Sequence, residues 1–594
     1  MNMKKHISII ILAVCSIFTL SANINVSSMQ TPVQKNVVTY TLFADKHSEY
    51  SIVIAEKASP SEQYAARELQ KYLKESGGVE LPITNNLFSN GKHIYIGYNK
   101  AVAGLISVKA PAVKDESFVY RNVGSNLIIY GGSQRGTMYG VFSFLEKELG
   151  CRWYTPTVTV VPKRDSWNFT KLNHTERPGI QIRNDFYYEA FDPAWAAHNR
   201  CNGRLFTSPK DLEQYGGVES YWGAHTLGQF IPANEFFDAH PEYFSLIDGK
   251  RDKEAQICLS NPEVLKIVID RLKKTIRENP GYRVYDVSQN DCYKPCQCDE
   301  CRAIAKKYGG ESGVMIWFVN QVAAAIEKEF PNVYVGTFAY QYTRKPPVNI
   351  VPRKNVVVRL CSIEGCFLHS LESCPENATF IEDMQGWAKI APHLYIWDYV
   401  VTFSQYVGPF PNFDVLQPNI QSFKKNHAIG IMEQGQYQSR GGELSELRAY
   451  LIAKLLWDPN CNVNSVVNDF IYGYYGKSAK FIRQYYTLLM ALVKPYVHMS
   501  IYPTYDNPIF SDVYISKASE IFGKALRAAD NSEIRHRVEL VTLPILYLKC
   551  MRNPVKSMSN GTYQEFLRIA ERDSVRVSEG MDLAAFRQKM EKKK

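Results

Sequence analysis

The sequence lacks three features, and each lack excludes a class of protein. Beyond residue 22 it has no apolar run near the roughly 20 residues of a membrane-spanning helix, so we expect no membrane insertion. Its 69 basic residues outnumber its 59 acidic ones, but they are scattered, and without a clustered basic face we expect no nucleic-acid partner. It has no low-complexity tract, which argues against a largely disordered chain.

Several catalytic signatures are missing as well. No G-x-S-x-G sequence occurs, which argues against a serine hydrolase with a nucleophile elbow. No glycine-rich phosphate turn follows the first strand of the central region, which argues against a dinucleotide-binding sheet. Cysteine catalysis lacks support, because no partner histidine is evident near the cysteine-rich stretch.

Residues 1–22 have the pattern of a signal peptide. Lys4 and Lys5 precede the 14-residue apolar run "ISIIILAVCSIFTL", and a cleavage site is expected near Ala22. Cys15 lies inside the run rather than after it, which argues against a lipoprotein anchor. We therefore expect an exported protein that is periplasmic, cell-surface or secreted.

From the length and pattern of the remaining 572 or so residues we expect an α/β protein of three domains. Residues 37–170 read as a small α/β domain, with strands "YSIVIAE", "HIYIGY" and "NLIIYGG" and a helix that begins at Ser59 and stops at Gly77. Residues 178–460 alternate strands with helices, which fits a (β/α)₈ TIM-type barrel. Residues 461–594 read as a helical C-terminal domain. The eight expected barrel strands are "GIQIRNDF", "WGAHTLGQF", "AQICLS", "YRVYDVSQ", "VYVGTFAYQ", "VVVRLCS", "LYIWDYV" and "AIGIMEQG".

Three carboxylates fall at predicted barrel-strand ends, where barrel enzymes place their chemistry. Asp291 follows the fourth strand, Asp398 ends the seventh and Glu433 ends the eighth. Each could instead have a structural role, but three acids on one face suit glycoside hydrolysis, which needs a protonated acid and a second carboxylate.

Polar and aromatic residues near the same strand ends suit a carbohydrate substrate, because flat rings stack on sugar faces and polar groups bind hydroxyls. Loop packing explains most of them almost as well. The candidate substrate-binding residues are Arg183, Trp222, His225, Asn290, Tyr340, Trp397, Tyr399 and Tyr437.

A cluster of cysteines follows the fourth strand. Its spacing, C-x₃-C-x-C-x₂-C, is dense enough for a structural zinc site, whereas export favours disulfides; both alternatives stay open. Catalysis itself is expected to need no cofactor. Three cysteines near the sixth strand could contribute further ligands. The candidate metal ligands are Cys292, Cys296, Cys298 and Cys301, and the three further cysteines are Cys361, Cys366 and Cys374.

Long stretches of the chain resemble known families. "AARELQKYLKESGGVELP", "HIYIGY" and "LIIYGGSQRGTMYGVFSFLEKELGCRWYTP" are similar to the N-terminal domain of α-glucuronidases and β-hexosaminidases. "NDCYKPCQCDEC" with "FVNQVAAAIEKEFPNVYVGTFAYQYTRKPP" resembles exported bacterial proteins that carry a domain of unknown function related to the α-glucuronidase barrel. The resemblance covers most of residues 50–460, and the α-glucuronidases also end in a helical domain.

The resemblance implies roles for the three carboxylates. In α-glucuronidases a Glu at the end of strand 4 is the general acid, and a later Asp and Glu act with water as the base. Asp398 and Glu433 match the later pair in type and order, whereas Asp291 departs from the pattern by standing where the Glu is expected.

The sequence therefore predicts an exported, α-glucuronidase-like glycoside hydrolase that acts on polysaccharide or oligosaccharide fragments with inversion. Two alternatives come from other classes of protein. One is a carbohydrate-binding barrel without turnover, and the other is a zinc-dependent hydrolase built around the cysteines.

Overall fold

The computed structural model describes residues 38–88, 90–205 and 212–593, so the expected signal peptide, residues 1–22, lies outside the described residues. The fold is α/β, as predicted: a small sheet domain, a parallel eight-stranded barrel and a helical region follow one another along the chain. None of the helices in these ranges is long and apolar enough to cross a membrane.

The N-terminal region is built on a six-stranded mixed sheet. Its first helix, Pro60–Gly77, begins with the expected capping box between Ser59 and Glu62. The helix continues through Gly77, and Gly78 ends it with a φ of 71°, a left-handed conformation that glycine adopts at little cost. The sheet strands, in spatial order, are Asn173–Glu176, Phe118–Val123, Asn126–Gly131, Lys92–Ile96, Tyr50–Ile54 and Ile83–Thr84.

Eight parallel strands form a nearly closed barrel. Each strand pairs with the next in space, and strand 8 returns to pair with strand 1. Across the remaining gap, the Arg183 N–H donates to Asn202 Oδ1 at 2.8 Å. The barrel strands, numbered 1 to 8 along the chain, are Ile182–Phe186, Gly203–Leu205, Glu219–Trp222, Val284–Asp286, Tyr334–Ala339, Val356–Cys361, Leu394–Tyr399 and Ala428–Gln434.

Two of the expected strands are wrong. In "WGAHTLGQF" only Trp222 belongs to a strand, because Gly223 and His225 have φ values of 79° and 55°, which an extended strand does not allow. "AQICLS" forms a single bridge, from Ile257 to Phe244, and lies beside the barrel. Strand 2, Gly203–Leu205, was not predicted, since three residues are too short for a visible pattern.

Helices surround the barrel and make up most of the C-terminal region. The helix Pro262–Glu278 confirms its predicted cap, Asn261, and its predicted apolar face is buried. The barrel helices are Pro193–His198, Leu227–Phe230, Ala233–Phe236, Pro262–Glu278, Asp299–Tyr308, Glu311–Glu327, Ala378–Ile390, Phe413–Lys425 and Ser445–Trp457. The C-terminal helices are Val463–Tyr475, Ala479–Met490, Asp512–Ala528, Ser532–Val541, Leu543–Arg552, Pro554–Ser559, Thr562–Arg572 and Leu583–Glu591.

A buried charge network joins the sheet domain to the barrel. Glu116 of the sheet domain accepts from Arg135 and from Arg183 of barrel strand 1, both at 2.5 Å. The Asn202 amide adds a third hydrogen bond at 2.9 Å. Burial alone would raise the pKa of Glu116, but the two guanidinium charges and the hydrogen bonds hold it below its ordinary value. The carboxylate is therefore ionised and fully paired.

Substitution Glu116→Gln is expected to destabilise the protein by about 3 kcal/mol, because it leaves the buried Arg183 without its counter-charge, whereas Arg135 keeps its ion pair with Glu219 at 2.6 Å. Chemical denaturation of the variant and wild type measures the difference. Glu49→Gln is the control: it removes the ion pair with Lys92, in which both side chains are exposed, and should leave the free energy of unfolding unchanged. Equal stability of Glu116→Gln and wild type would contradict the assignment.

Candidate active site at the barrel mouth

The side chains that face the barrel lumen can be identified from one contact. The guanidinium of Arg359, on strand 6, lies 3.3 Å from the ring centroid of Tyr221 on strand 3, which is not a neighbouring strand. This contact therefore crosses the lumen. On strand 7, Tyr395 and Trp397 also lie over Arg359, at 4.9 and 5.1 Å. Because side chains alternate along a strand, Tyr399 faces the lumen as well.

Asp398 and Glu433 face the other way. By the same alternation, Asp398 points toward the helix layer, and the strand register pairs it with Glu433. Glu433 is in register with Asp185 on its other side. The three residues are 3%, 1% and 2% exposed, so the structure brings the predicted pair together but does not bring it to the mouth with Asp291.

Burial governs the chemistry of this acid pair. It raises the pKa of Asp398 to about 6, although the Ser362 hydroxyl donates to Asp398 Oδ1 at 2.5 Å and opposes the shift. Burial, followed by the charges of Asp398 and Asp185, raises the pKa of Glu433 well above its ordinary value. Both oxygens of Glu433 lack a hydrogen-bond donor. A protonated Glu433 donates one hydrogen bond to an ionised Asp398, which avoids placing two negative charges side by side in the buried pair.

Asp291 lies at the mouth of the barrel, the end at which the strands finish. Its carboxylate is exposed and accepts a hydrogen bond of 3.0 Å from the hydroxyl of Tyr340. The His225 ring lies beside Tyr340, with centroids 5.8 Å apart. His225 Nδ1 contacts the carbonyl oxygen of Gln289 at 2.8 Å, which leaves Nε2 as the nitrogen available for a ligand. His225 also has a φ of 55°, and such strain is often found at functional sites.

A second carboxylate reaches the mouth from the C-terminal region. Glu579 is half-buried, and its backbone N–H donates to the carbonyl of Phe403, in the loop after strand 7, at 3.4 Å. Burial raises the pKa of Glu579, and the charge of Asp291 raises it further. Tyr502 is near both acids, since burial and then the charges of Asp291 and Glu579 raise its pKa. Asp291, Glu579 and the exposed Tyr502 ring are therefore close enough for their charges to interact.

The structure divides the predicted substrate-binding residues. Tyr340, Trp397, Tyr399 and His225 line the lumen or its mouth, and the side chain of Tyr437 contacts Glu579 there. Three others do not reach the mouth. Trp222 packs against Phe230 and Tyr285 outside the barrel, Arg183 is buried against Glu116, and the Asn290 amide bonds to backbone groups of Gly228 and Ala255.

The cysteine cluster differs by one residue from the predicted set. Cys258, in the segment beside the barrel, replaces Cys292, and the four thiols lie within 4.8 Å of one another and are buried. The sulfur of Cys258 is 3.7 Å from that of Cys298 and 4.0 Å from that of Cys301, too far for disulfides. Cys292 instead accepts from the side chain of Gln256 at 3.3 Å. The converging thiols are Cys258, Cys296, Cys298 and Cys301.

Gln256 connects this cluster to the candidate site. Its amide nitrogen donates to the carbonyls of Asn290 and Cys292, both at 2.7 Å, and its oxygen accepts from the Asn290 N–H at 2.8 Å. These bonds bracket Asp291 on both sides. Gln256 stands two residues before Cys258, so the cluster fixes the loop that presents Asp291.

Two important residues were missed from the sequence. Glu579 lies in a short connection between the helices Thr562–Arg572 and Leu583–Glu591, where an acidic residue is unremarkable. Cys258 was assigned to a strand. It lies 38 positions before Cys296, and it, rather than Cys292, completes the group of four converging thiols. Only the fold brings these segments together.

The comparisons with known proteins agree with this architecture. The chain is similar to the structure of a novel family GH115 4-O-methyl-alpha-glucuronidase, BtGH115A, with specificity for decorated arabinogalactans. The identity is 13% and the TM-score 0.55, over 90% of this chain and 77% of the other. The protein thus has a glycoside-hydrolase-like fold.

Family profiles place the chain more closely. The profile described as "Domain of unknown function (DUF4838)" matches residues 153–487. Since this is more than half of the chain, the protein belongs to that family. The profile "Glycosyl hydrolase family 67 N-terminus" matches residues 39–144. Both matches confirm the resemblance seen in the sequence.

Other similarities are weaker. The structure of CpGH84B is 12% identical with a TM-score of 0.49, over 95% of this chain and 100% of that one. The Flavobacterium johnsoniae chitobiase FjGH20 is 12% identical with a TM-score of 0.46, over 94% and 97%. At TM-scores below 0.5, neither similarity establishes a property of this protein. A search of curated proteins found no match.

The buried acid pair predicts a dependence of stability on pH. Since the folded-state pKa values of Asp398 and Glu433 are raised, their contribution is full below about pH 4, where the unfolded carboxyls titrate, and is lost as pH rises through about 6 and above. Glu433→Gln should remove the part of this dependence that Glu433 contributes and make the protein more stable than wild type at pH 8 by about 1 kcal/mol or more. The part contributed by Asp398, whose pKa is raised mainly by its own burial, should remain.

Urea unfolding at pH 4, 6 and 8 measures the effect, with Glu80→Gln as the control because its ion pair with Lys74 is exposed. If Glu433→Gln leaves the stability curve unchanged and instead abolishes turnover, the pair is catalytic, as the sequence suggested.

Proposed function

We propose that this protein is an exported glycoside hydrolase whose reaction takes place at the barrel mouth, between Asp291 and Glu579. The observation that carries the proposal is the presence of two carboxylates at the mouth, Asp291 bonded to Tyr340 and Glu579 bonded to the loop after strand 7, close enough for the charge of Asp291 to raise the pKa of Glu579. Both lie above a lumen lined with aromatic side chains. Two carboxyl groups with different environments are what hydrolysis of a glycosidic bond requires.

The environments suggest how the two roles are divided. The raised pKa of Glu579 keeps its carboxyl protonated to higher pH, which suits a general acid. The Tyr340 hydroxyl donates a hydrogen bond to Asp291 and holds this exposed carboxylate at the mouth, in contact with solvent, which suits a base that activates water. The proposed mechanism is still inverting, as expected from the sequence. The second catalytic carboxylate is now Glu579, in place of the buried pair of Asp398 and Glu433.

The mouth also suits a sugar in shape and charge. Tyr340, Tyr399, Tyr437 and Tyr502 supply flat rings with hydroxyls beside the two acids. Arg576 lies near Glu579 and Tyr437, where its charge lowers the pKa of both. A cation at this position supports a uronic acid in the substrate, in line with the α-glucuronidase-like activity expected from the sequence.

Hydrolysis of an aryl-glycoside and oligosaccharide panel tests the function. Wild type should release sugar, with glucuronides among the best substrates. Asp291→Asn and Glu579→Gln should each lower kcat by about 100-fold or more, because each removes a group that transfers a proton. Glu433→Gln, the matched buried control, should keep turnover within a few-fold of wild type.

Other results would favour other functions. Sugar binding without release, equal in wild type and Asp291→Asn, would indicate a carbohydrate-binding barrel. Loss of turnover on removal of zinc from a protein that stays folded would indicate a zinc-dependent hydrolase.

The pH profile tests the division of roles. If Glu579 is the acid, kcat/KM falls as pH rises through its raised pKa, and this alkaline limb disappears in Glu579→Gln. A variant that keeps the alkaline limb would contradict the assignment.

We also propose that the four buried thiols, Cys258, Cys296, Cys298 and Cys301, hold a structural Zn²⁺. Tetrahedral zinc with bonds of about 2.3 Å sets sulfurs about 3.8 Å apart, close to the 3.7 and 4.0 Å between the sulfurs here. The Leu246 N–H, 3.3 Å from the Cys296 sulfur, adds the hydrogen bond that a metal-bound thiolate prefers.

Zinc content distinguishes the observed thiol set from the predicted one. Cys258→Ser should lose one zinc per chain and unfold more easily, because the site stabilises the folded state. Cys292→Ser should retain the metal. Element analysis by mass spectrometry measures both variants, and loss of zinc from Cys292→Ser but not from Cys258→Ser would reverse the assignment.

A further inference from the structure

A second group of metal-ligating side chains lies on another side of the barrel. Three of its members follow barrel strand 6, and the fourth comes from the connection between the helices Ala479–Met490 and Asp512–Ala528. One ligand atom from each member lies within 4.8 Å of the others. The members are Cys366, His369, Cys374 and His498.

The distances in this group match a tetrahedral metal. Zn–S bonds of about 2.3 Å and Zn–N bonds of about 2.0 Å at a tetrahedral angle set sulfur and nitrogen about 3.5 Å apart. The Cys366 sulfur is 3.6 Å from His369 Nδ1, and the Cys374 sulfur is 3.5 Å from His498 Nδ1. Both cysteines are buried, each 4% exposed, while the two histidines are half-buried.

The outer contacts orient the first histidine as a ligand. His369 Nε2 lies 3.1 Å from the carbonyl oxygen of Lys494, which only an N–H can satisfy. The proton is therefore on Nε2, and Nδ1 presents its lone pair to the group. A backbone carbonyl of this kind is the usual outer partner of a metal-bound imidazole.

The competing arrangement for His498 is an ion pair. Its Nδ1 is 3.3 Å from Glu376 Oε2, but this carboxylate is 56% exposed and such pairs contribute little. The pair would also leave Cys366, His369 and Cys374 converging without a cause. A metal accounts for all four members.

We propose that Cys366, His369, Cys374 and His498 bind a second Zn²⁺, separate from the one held by four cysteines. Two thiolates and two imidazoles in tetrahedral positions favour zinc over harder cations. Because its ligands come from a barrel loop and from the C-terminal region, the ion fixes one to the other.

This connection bears on the candidate active site. After His498 the chain runs along the barrel loops: the Phe367 N–H donates to the Met499 carbonyl and the Phe403 N–H to the Ile501 carbonyl, both at 2.9 Å. The next residue is Tyr502, which lies close enough to both mouth carboxylates for their charges to raise its pKa, after burial. The second zinc thereby sets the position of the ring at the mouth.

Zinc stoichiometry tests the proposal directly. Full-length mature protein, dialysed against a mild chelator, should contain two zinc ions per chain. His498→Gln and Cys374→Ser should each contain one, and Cys258→Ser combined with His498→Gln none. Cys461→Ser is the control: its thiol belongs to neither group and it should keep two ions.

Two further measurements keep the test decisive if a cysteine variant fails to fold. The His498 side chain is half-buried, so the His498→Gln variant is expected to fold. In this variant, backbone hydrogen exchange at residues 493–503 should be faster than in wild type, while exchange at residues 255–301 should be unchanged. Co²⁺ substituted into Cys258→Ser should show the ligand-field bands of two thiolates and two imidazoles.

Three results would overturn the proposal. One is a zinc content that His498→Gln and Cys374→Ser leave unchanged. The second is a mass two hydrogens lower, with Cys366 disulfide-linked to Cys374. The third is unaltered exchange at residues 493–503 when the second metal is lost. None of these outcomes depends on whether the protein hydrolyses sugars.

Discussion

The convergence of four buried cysteines beside barrel strand 4 is the constraint on which the candidate site depends. Strand 4 itself has only three residues, Val284–Asp286, and the chain that follows it is irregular as far as the helix Asp299–Tyr308. Such a loop would not present a carboxylate in a defined place by itself. The thiols hold it against the segment of Cys258, and Gln256 transmits that position to the backbone on either side of Asp291.

The barrel wall separates two sets of acids with different physical roles. Toward the helix layer, Asp398 and Glu433 are excluded from water and remain partly neutral, so they resemble a structural hydrogen-bonded pair. Inside, Arg359 and the surrounding rings fill the lumen, as side chains do in barrels of this size. The proposed chemistry therefore belongs to the mouth, which has Asp291 from the loop after strand 4 and Glu579 from the C-terminal region.

Much of the fold could be predicted from the sequence, because hydrophobic periodicity and caps are local. The helix from Pro60 and the helix from Pro262 begin at the residues that their caps indicated. The prediction failed for strand 2 and for the segment of Cys258. Strand 2 is too short to show a pattern. The segment of Cys258 packs against the other three cysteines of the cluster instead of joining the barrel sheet. The whole α/β architecture was nevertheless correct.

The candidate site was less accessible to prediction. The sequence shows that a carboxylate is near the end of a strand, but it does not show whether the side chain faces the lumen or the helix layer. A shift of one residue along the strand decides this, since Trp397 faces the lumen and the next residue, Asp398, faces the helices.

The most direct measurement is a crystal structure of Asp291→Asn with an oligosaccharide bound. The account predicts a glycosidic oxygen between residues 291 and 579, with a sugar ring against Tyr502. A sugar bound against Asp398 and Glu433, or away from the mouth, would contradict it.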